Sequence, residues 1–210
     1  ASFQSSAVSY LYYADRIYQL PLAISGIAIG TVVLPVLSRS IASDTNERVL
    51  FLQNRSIELS IFLSAPAAVG IIVGAEEIIS CLFGYGSFDQ ESIYNTSRAL
   101  VIFGFGLPAF SLLKLYSNFY FARGDTNFPF KVSVFTVAMN ILISLVFFEN
   151  FGFLSIAAGT SISCWLAVFV YKFSLKKNSL HLSDSVFIER FAKIFVCSMV
   201  MGSLLYYQFF

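Results

Sequence analysis

The stretch YYADRIYQLPLAISGIAIGTVVLPVLSR, Tyr12 to Arg39, decides the fold. From Ile17 to Ser38 it contains no charged residue, and Arg16 and Arg39 bound it. A bilayer core is crossed by a helix of about 20 apolar residues, so this run is long enough to span. Inside hydrocarbon every backbone N–H and C=O must be paired within the chain, which leaves helices and closed barrels. Barrel strands alternate polar and apolar residues, whereas this run is apolar almost throughout. It reads as a membrane helix.

Outward from this stretch the same pattern repeats. Leu59 to Ala75 is uncharged, with apolar sequence starting near Val49, and Ala99 to Ala122 holds a single charge, Lys114. Val132 to Phe148, Asn150 to Tyr171 and Ile194 to Phe210 are uncharged. The expected architecture is an all-α integral membrane protein with six transmembrane helices, at approximate spans 6–38, 50–75, 97–122, 131–148, 153–174 and 191–210. These form one transmembrane domain over 1–210. The chain starts at Ala1 in mid-pattern and stops at Phe210 within an apolar run, so we expect a piece of a longer protein.

Composition agrees with the helix count. The 210 residues are 57% hydrophobic and 12% charged, with mean hydropathy +0.77, whereas soluble domains carry about 25% charged residues. Disordered chains are charge-rich and apolar-poor, so disorder is excluded. A net charge of +1 excludes a nucleic-acid partner bound by bulk charge. Cys81, Cys164 and Cys197 are odd in number and scattered through apolar sequence, and His181 is the sole histidine. Neither a disulfide framework nor a histidine-based metal site is expected. GYGSF, within Leu82 to Ser92, lacks the Gly-Lys-Ser/Thr ending of a phosphate-cradling loop. No serine–histidine–acid set can be assembled around His181, so the chain does not read as an enzyme.

Basic residues set the orientation. Arg39, Arg48 and Arg55 fall at the first connection, Arg123 and Lys131 at the third, and Lys172, Lys176, Lys177, Arg190 and Lys193 at the fifth. The second and fourth connections hold Glu76, Glu77, Asp89, Glu91 and Glu149 against Arg98 alone. Odd connections are therefore expected on the cytoplasmic side.

Two cations remain. Arg16 follows Asp15 and has two readings: it marks the interface where the first helix begins, or the helix starts near Ser5 and Arg16 sits about three turns inside. Neighbouring residues on a helix do not face each other, so Asp15 and Arg16 should meet different partners. Lys114 interrupts the third apolar run. It either snorkels toward the interface or lines a water-filled cavity, and ionisable residues at membrane depth are expensive and mark functional pathways. Together the two suggest a basic polar interior suited to an anionic substrate, since arginine's planar fork matches phosphate oxygens. Asn118, Asn140, Ser144 and Thr160 could add hydrogen bonds or ion ligands, or serve as glue between helices. Pro21, Pro35, Pro66 and Pro108, with the small-residue pairs Gly26/Gly30 and Gly70/Gly74, fit either ordinary packing or a bundle that bends.

Four blocks carry a family resemblance. Tyr12 to Arg39 resembles the signature of the MurJ/MviN lipid II flippases. LFGYGSF (Leu82–Phe88) is similar to the family's LFxxGxF outer loop, and KLYSNFYFARGDTNFPFK (Lys114–Lys131) to its lysine and aromatic-Ala-Arg-x-Asp-Thr motif. GFLSIAAGTSISCW (Gly152–Trp165) is similar to its Gly-rich twelfth helix. The resemblance implies helices eight to thirteen of a fourteen-helix transporter in the multidrug/oligosaccharidyl-lipid/polysaccharide (MOP) superfamily, a partial second lobe of a two-lobed, MATE-like bundle.

What the resemblance implies for function is a multi-pass protein of the bacterial cytoplasmic (inner) membrane, surrounded by membrane lipids. It would move lipid II, the undecaprenyl-pyrophosphate-linked disaccharide-pentapeptide, from the inner to the outer leaflet by alternating access. That step serves peptidoglycan synthesis, cell wall biogenesis and cell shape. The other partners implied are the missing N-terminal helices of the full-length protein. Arg16 matches the cavity arginine, Asp15 its acidic neighbour and Lys114 the lysine of the tenth helix, so these three are the expected substrate-binding residues. Asn140, Ser144 and Thr160 are the expected ion or polar cavity residues. No cofactor is expected, and Ser144, standing where relatives carry Asn or Asp, counts against sodium coupling. Asn118 replaces a common proline, implying a straighter tenth helix. Two alternatives stay open: another exporter of the superfamily, for polysaccharide-lipid or drugs, or a non-transporting membrane scaffold derived from a flippase.

Overall fold

The computed structural model of the chain describes residues 6–42, 46–86, 88–177 and 185–209. His181 lies outside them. The first span is a single 36-residue rod, Ala7–Ala42. It consists of α1 (Ala7–Leu22), a π-helical segment (Ala23–Ala28) and α2 (Ile29–Ala42). Of the two readings of its start, the longer helix holds, and Arg16 lies about two and a half turns inside the rod. The π segment opens just after Pro21. Proline has no N–H to bond the carbonyl one turn back, and the Ser25 hydroxyl donates to the Pro21 carbonyl at 2.8 Å. Each π turn takes up an extra residue, so the segment re-aims the face that α2 presents.

The remaining elements are α3 (Asn46–Val73), α4 (Ala75–Phe83), α5 (Gln90–Phe121), α6 (Asn127–Phe151), α7 (Leu154–Lys177) and α8 (Ser185–Phe209). Among the described residues six segments are long and apolar enough to cross a membrane. The short α4 lies where the charges Glu76 and Glu77 suggested only a loop. Both acids fall in its first turn, where they complement the helix dipole, and nine residues cannot span. Among the described residues Pro35, Pro66 and Pro108 stand inside unbroken α-helices.

The centre of the bundle is α5. Two thirds (67%) of its apolar stretch is buried, against 11% for α6 and α8. Tyr18 of α1 lays its ring 4.9 Å from Phe103 and 5.2 Å from Phe110. Gly26 lies so close to Ser111 that an added methyl would stand 3.2 Å from the Ser111 Cα. Gly30 likewise packs against Asn118, whereas Gly70 faces open space. On the α3 side the Ser60 and Ser111 hydroxyls pair at 2.6 Å. On the α7 side Ser161 donates to the Ile102 carbonyl at 2.9 Å, and Trp165 Nε1 to the Phe105 carbonyl at 3.1 Å. Both acceptors lie in the turns just before Pro108. Such side-chain-to-carbonyl bonds hold helices together where apolar burial gives no net drive against lipid.

The basic ends of the helices gather at one end of the bundle. Tyr120 of α5 donates to Ser174 of α7 at 2.8 Å, and Ser117 pairs with Tyr171 at 3.1 Å. At that end Glu58 of α3 receives Arg55 at 2.8 Å and Arg190 of α8 at 3.1 Å. This bridge ties α3 to α8.

Candidate functional site

Lys114 lines an open cleft of about 660 Å³ between the rod, α5 and α6. The rod contributes Gly26, Gly30, Thr31 and Leu34; α5 contributes Lys114, Ser117, Asn118 and Phe121; α6 contributes Pro129, Phe130 and Ser133. Gly30 has no side chain, and Asn118 packs into its space at the floor of the cleft, its amide nitrogen 2.3 Å from where a Cβ would be. Asn118 lies in the last turn of an α5 that continues unbroken to Phe121. Lys114 is exposed into the cleft and makes no ion pair or hydrogen bond among the described residues. Around this free ammonium stand hydroxyls and an amide, the neutral groups that can complete the hydrogen bonding of a phosphate.

Arg16 and Asp15 lie farther up the rod and point apart. The Arg16 guanidinium donates to the Tyr12 hydroxyl at 2.9 Å, with its carbon 4.8 Å from the Tyr12 ring centre. The Asp15 carboxylate accepts from the Gln19 amide. Arg16 is exposed and makes no ion pair among the described residues. The pairings Tyr18–Phe103/Phe110 and Gly26–Ser111 fix the register of rod and α5. They place Arg16 about ten residues above Lys114, or roughly 15 Å at 1.5 Å per residue. The structure thus keeps the two cations in separate steps along one helix pair.

Asn140, Ser144 and Thr160 form a set of their own between α6 and α7. Asn140 Nδ2 donates to Thr160 Oγ1 at 3.1 Å, and the Ser144 hydroxyl donates to Asn140 Oδ1 at 3.0 Å. Thr160 in turn donates to the Ile156 carbonyl at 2.8 Å. Gly159 lets the helices come this close, since a Cβ there would lie 2.4 Å from the Ser144 hydroxyl. All the donors are neutral, they are paired with one another, and no carboxylate joins them. In this arrangement the three side chains clasp α6 to α7. No cluster of three or more metal-ligating His, Cys, Asp or Glu side chains occurs among the described residues, and the three cysteines are free.

Sequence reading missed Tyr12, Gln19 and the hydroxyls of Thr31 and Ser133. The i, i+4 spacings Tyr12–Arg16 and Asp15–Gln19 were the available signal. Thr31 and Ser133 carried none, because their role depends on how the rod and α6 pack.

Six helices long and apolar enough to cross a membrane, a proline-linked π segment and unpaired cations on a helix pair define, among the described residues, a polytopic membrane protein of the helical-bundle class. The comparisons specify it. A family model described as "Lipid II flippase MurJ" matches residues 1–209, and the chain belongs to that family. It is similar to the probable lipid II flippase MurJ of Rickettsia prowazekii, 34% identical over 98% of this chain and 40% of that protein. It is also similar to that of Rhizobium meliloti, 36% identical over 98% of this chain and 38% of that protein. A solved structure titled "Lipid II flippase MurJ, inward closed conformation" superposes with a TM-score of 0.86 at 27% identity, covering 99% of this chain and 42% of that one. The chain spans about two fifths of the length of the relatives it matches.

Proposed function

We propose that the chain supplies the cationic second-lobe wall of a lipid II flippase in the bacterial inner membrane. The observation that carries this reading is the pair of unpaired cations, Arg16 and Lys114, stepped along the rod and α5 at membrane depth. A charge there is costly unless it serves a pathway, and both lack a carboxylate partner among the described residues. A diphosphate headgroup provides the missing anion. Arginine offers it a fork of N–H donors and lysine a mobile point charge.

In this reading the headgroup meets Lys114 in the cleft at the basic end of the bundle, and Arg16 farther along. The prenyl chain stays in lipid while the headgroup passes from one cation to the other, so neither charge needs to travel. Asp15 takes part through Gln19 and does not face the anion itself. The re-aimed π segment between the two cations is where the rod bends as access switches.

The test is lipid II flipping by the full-length protein in cells depleted of their own flippase. Arg16→Ala should abolish rescue and Lys114→Ala should reduce it. Full complementation by Arg16→Ala at normal expression would sink the assignment of Arg16 to substrate. Wild-type activity of Lys114→Ala would leave that lysine as a snorkelling residue.

A further inference from the structure

An arginine beside an aspartate in a poorly solvated helix raises a problem that the structure answers. Coulomb attraction between opposite charges grows as the dielectric falls. A long guanidinium stem could fold back on the adjacent carboxylate even though the two Cβ atoms diverge. If it did, Arg16 would be neutralised before any substrate arrived. The two side chains are instead held apart by separate i, i+4 bonds on α1. The Gln19 amide donates to the Asp15 carboxylate, while Tyr12 holds Arg16 by hydroxyl and ring face together. Tyr12 is neutral, so it orients the guanidinium without cancelling its charge, and the remaining N–H donors stay available.

We propose that Tyr12 and Gln19 are positioning residues of the Arg16 site: Tyr12 aims the guanidinium, and Gln19 sequesters the Asp15 carboxylate so that Arg16 presents an uncompensated charge to a diphosphate. The proposal rests on the reading of Arg16 as a substrate contact. It assigns Asp15 a restrained role, since a carboxylate released from Gln19 competes with the substrate's phosphates for the same cation.

The experiment measures lipid II binding to the purified full-length protein at two salt concentrations, with elution profile and thermal midpoint as folding checks. Gln19→Met, which keeps bulk but not the amide donor, should weaken binding about tenfold, the size expected for loss of a hydrogen bond to a charged group. Adding Asp15→Asn in that background should restore binding, because the freed competitor is then neutral. Tyr12→Phe should weaken binding by about threefold and Tyr12→Leu by more, as first the hydroxyl and then the ring face are lost. A loss in Gln19→Met that Asp15→Asn leaves unrepaired is structural and overturns the proposal. So does wild-type binding by both Gln19→Met and Tyr12→Leu while Arg16→Ala abolishes it, an outcome that leaves Arg16 as a substrate contact. If Arg16→Ala itself binds normally, the functional reading beneath the proposal fails. A misfolded Gln19→Met leaves the decision to Tyr12→Phe, where undiminished binding counts against the positioning role.

Discussion

Gly159→Ala separates packing from intrinsic helix preference at the α6–α7 seam. Alanine favours a helix interior over glycine by about 1 kcal/mol, so propensity alone expects a more stable protein. The structure expects the reverse. The new methyl would stand 2.4 Å from the Ser144 hydroxyl, 3.0 Å from the Asn140 carbonyl and 3.0 Å from Asn140 Oδ1. The hydroxyl can rotate, but the carbonyl belongs to the backbone of α6, so α7 must move away. Overpacking costs about 1–3 kcal/mol, and losing the Asn140–Thr160 bond costs about 1 kcal/mol more. Set against the propensity gain, the net is a loss of about 1–3 kcal/mol. Denaturant unfolding of the full-length protein in micelles reads this as a lower midpoint at unchanged slope. Ser144→Ala in the same background removes the nearest clash and should recover part of the loss, as a non-additive double-mutant cycle. A Gly159→Ala protein as stable as wild type, or more so, would refute the reasoning.

Other changes test other contacts. Trp165→Phe keeps an aromatic ring but removes the Nε1 donor to the Phe105 carbonyl and some bulk; it should cost about 1 kcal/mol or more, and an unchanged unfolding midpoint would contradict it. Glu58→Gln uncouples Arg55 and Arg190, both half exposed, so the loss should stay below about 1 kcal/mol and shrink with added salt. Asp89 caps α5 by accepting from the Ser92 backbone N–H at 2.9 Å. Hydrogen bonds from the Ser92 side chain and backbone hold its carboxyl below the usual aspartate range. Because the folded value is the lower one, its stabilisation is present above the ordinary aspartate pKa and fades as pH falls through the folded value. Melting curves across acidic pH should show this dependence in wild type and less of it in Asp89→Asn, which retains a capping side chain.

The fold was largely legible from charge positions, because a bilayer forbids unpaired backbone and penalises charge. Where Arg39, Lys131 and Glu149 stand, apolar spans must begin or end nearby. The short α4 escaped that logic, since its acids favour a helix N-terminus as readily as they favour a loop. At the site, Arg16 and Lys114 stood out as cations in apolar runs. The depth of Arg16 was open until the helix was seen to begin at Ala7. Asn140, Ser144 and Thr160 were visible as polar residues, but sequence could not say whether they faced a cavity or one another.

Sequence by itself determined the helix class, the number of spans, the basic end and the two exceptional cations, all of which follow from solvation of single residues. Tertiary structure decided what those residues meet. Gly30 and Asn118 pack against each other beneath Lys114 only because the rod and α5 lie in one particular register. Gly159 brings Asn140 and Thr160 within hydrogen-bond reach, which makes that trio a clasp. Tyr12 and Gln19 are spaced to reach Arg16 and Asp15, but only a helix continuous through all four puts each pair on its own face. Partition into a membrane is a property that residues carry singly, whereas freedom from a counter-ion depends on every neighbour in space.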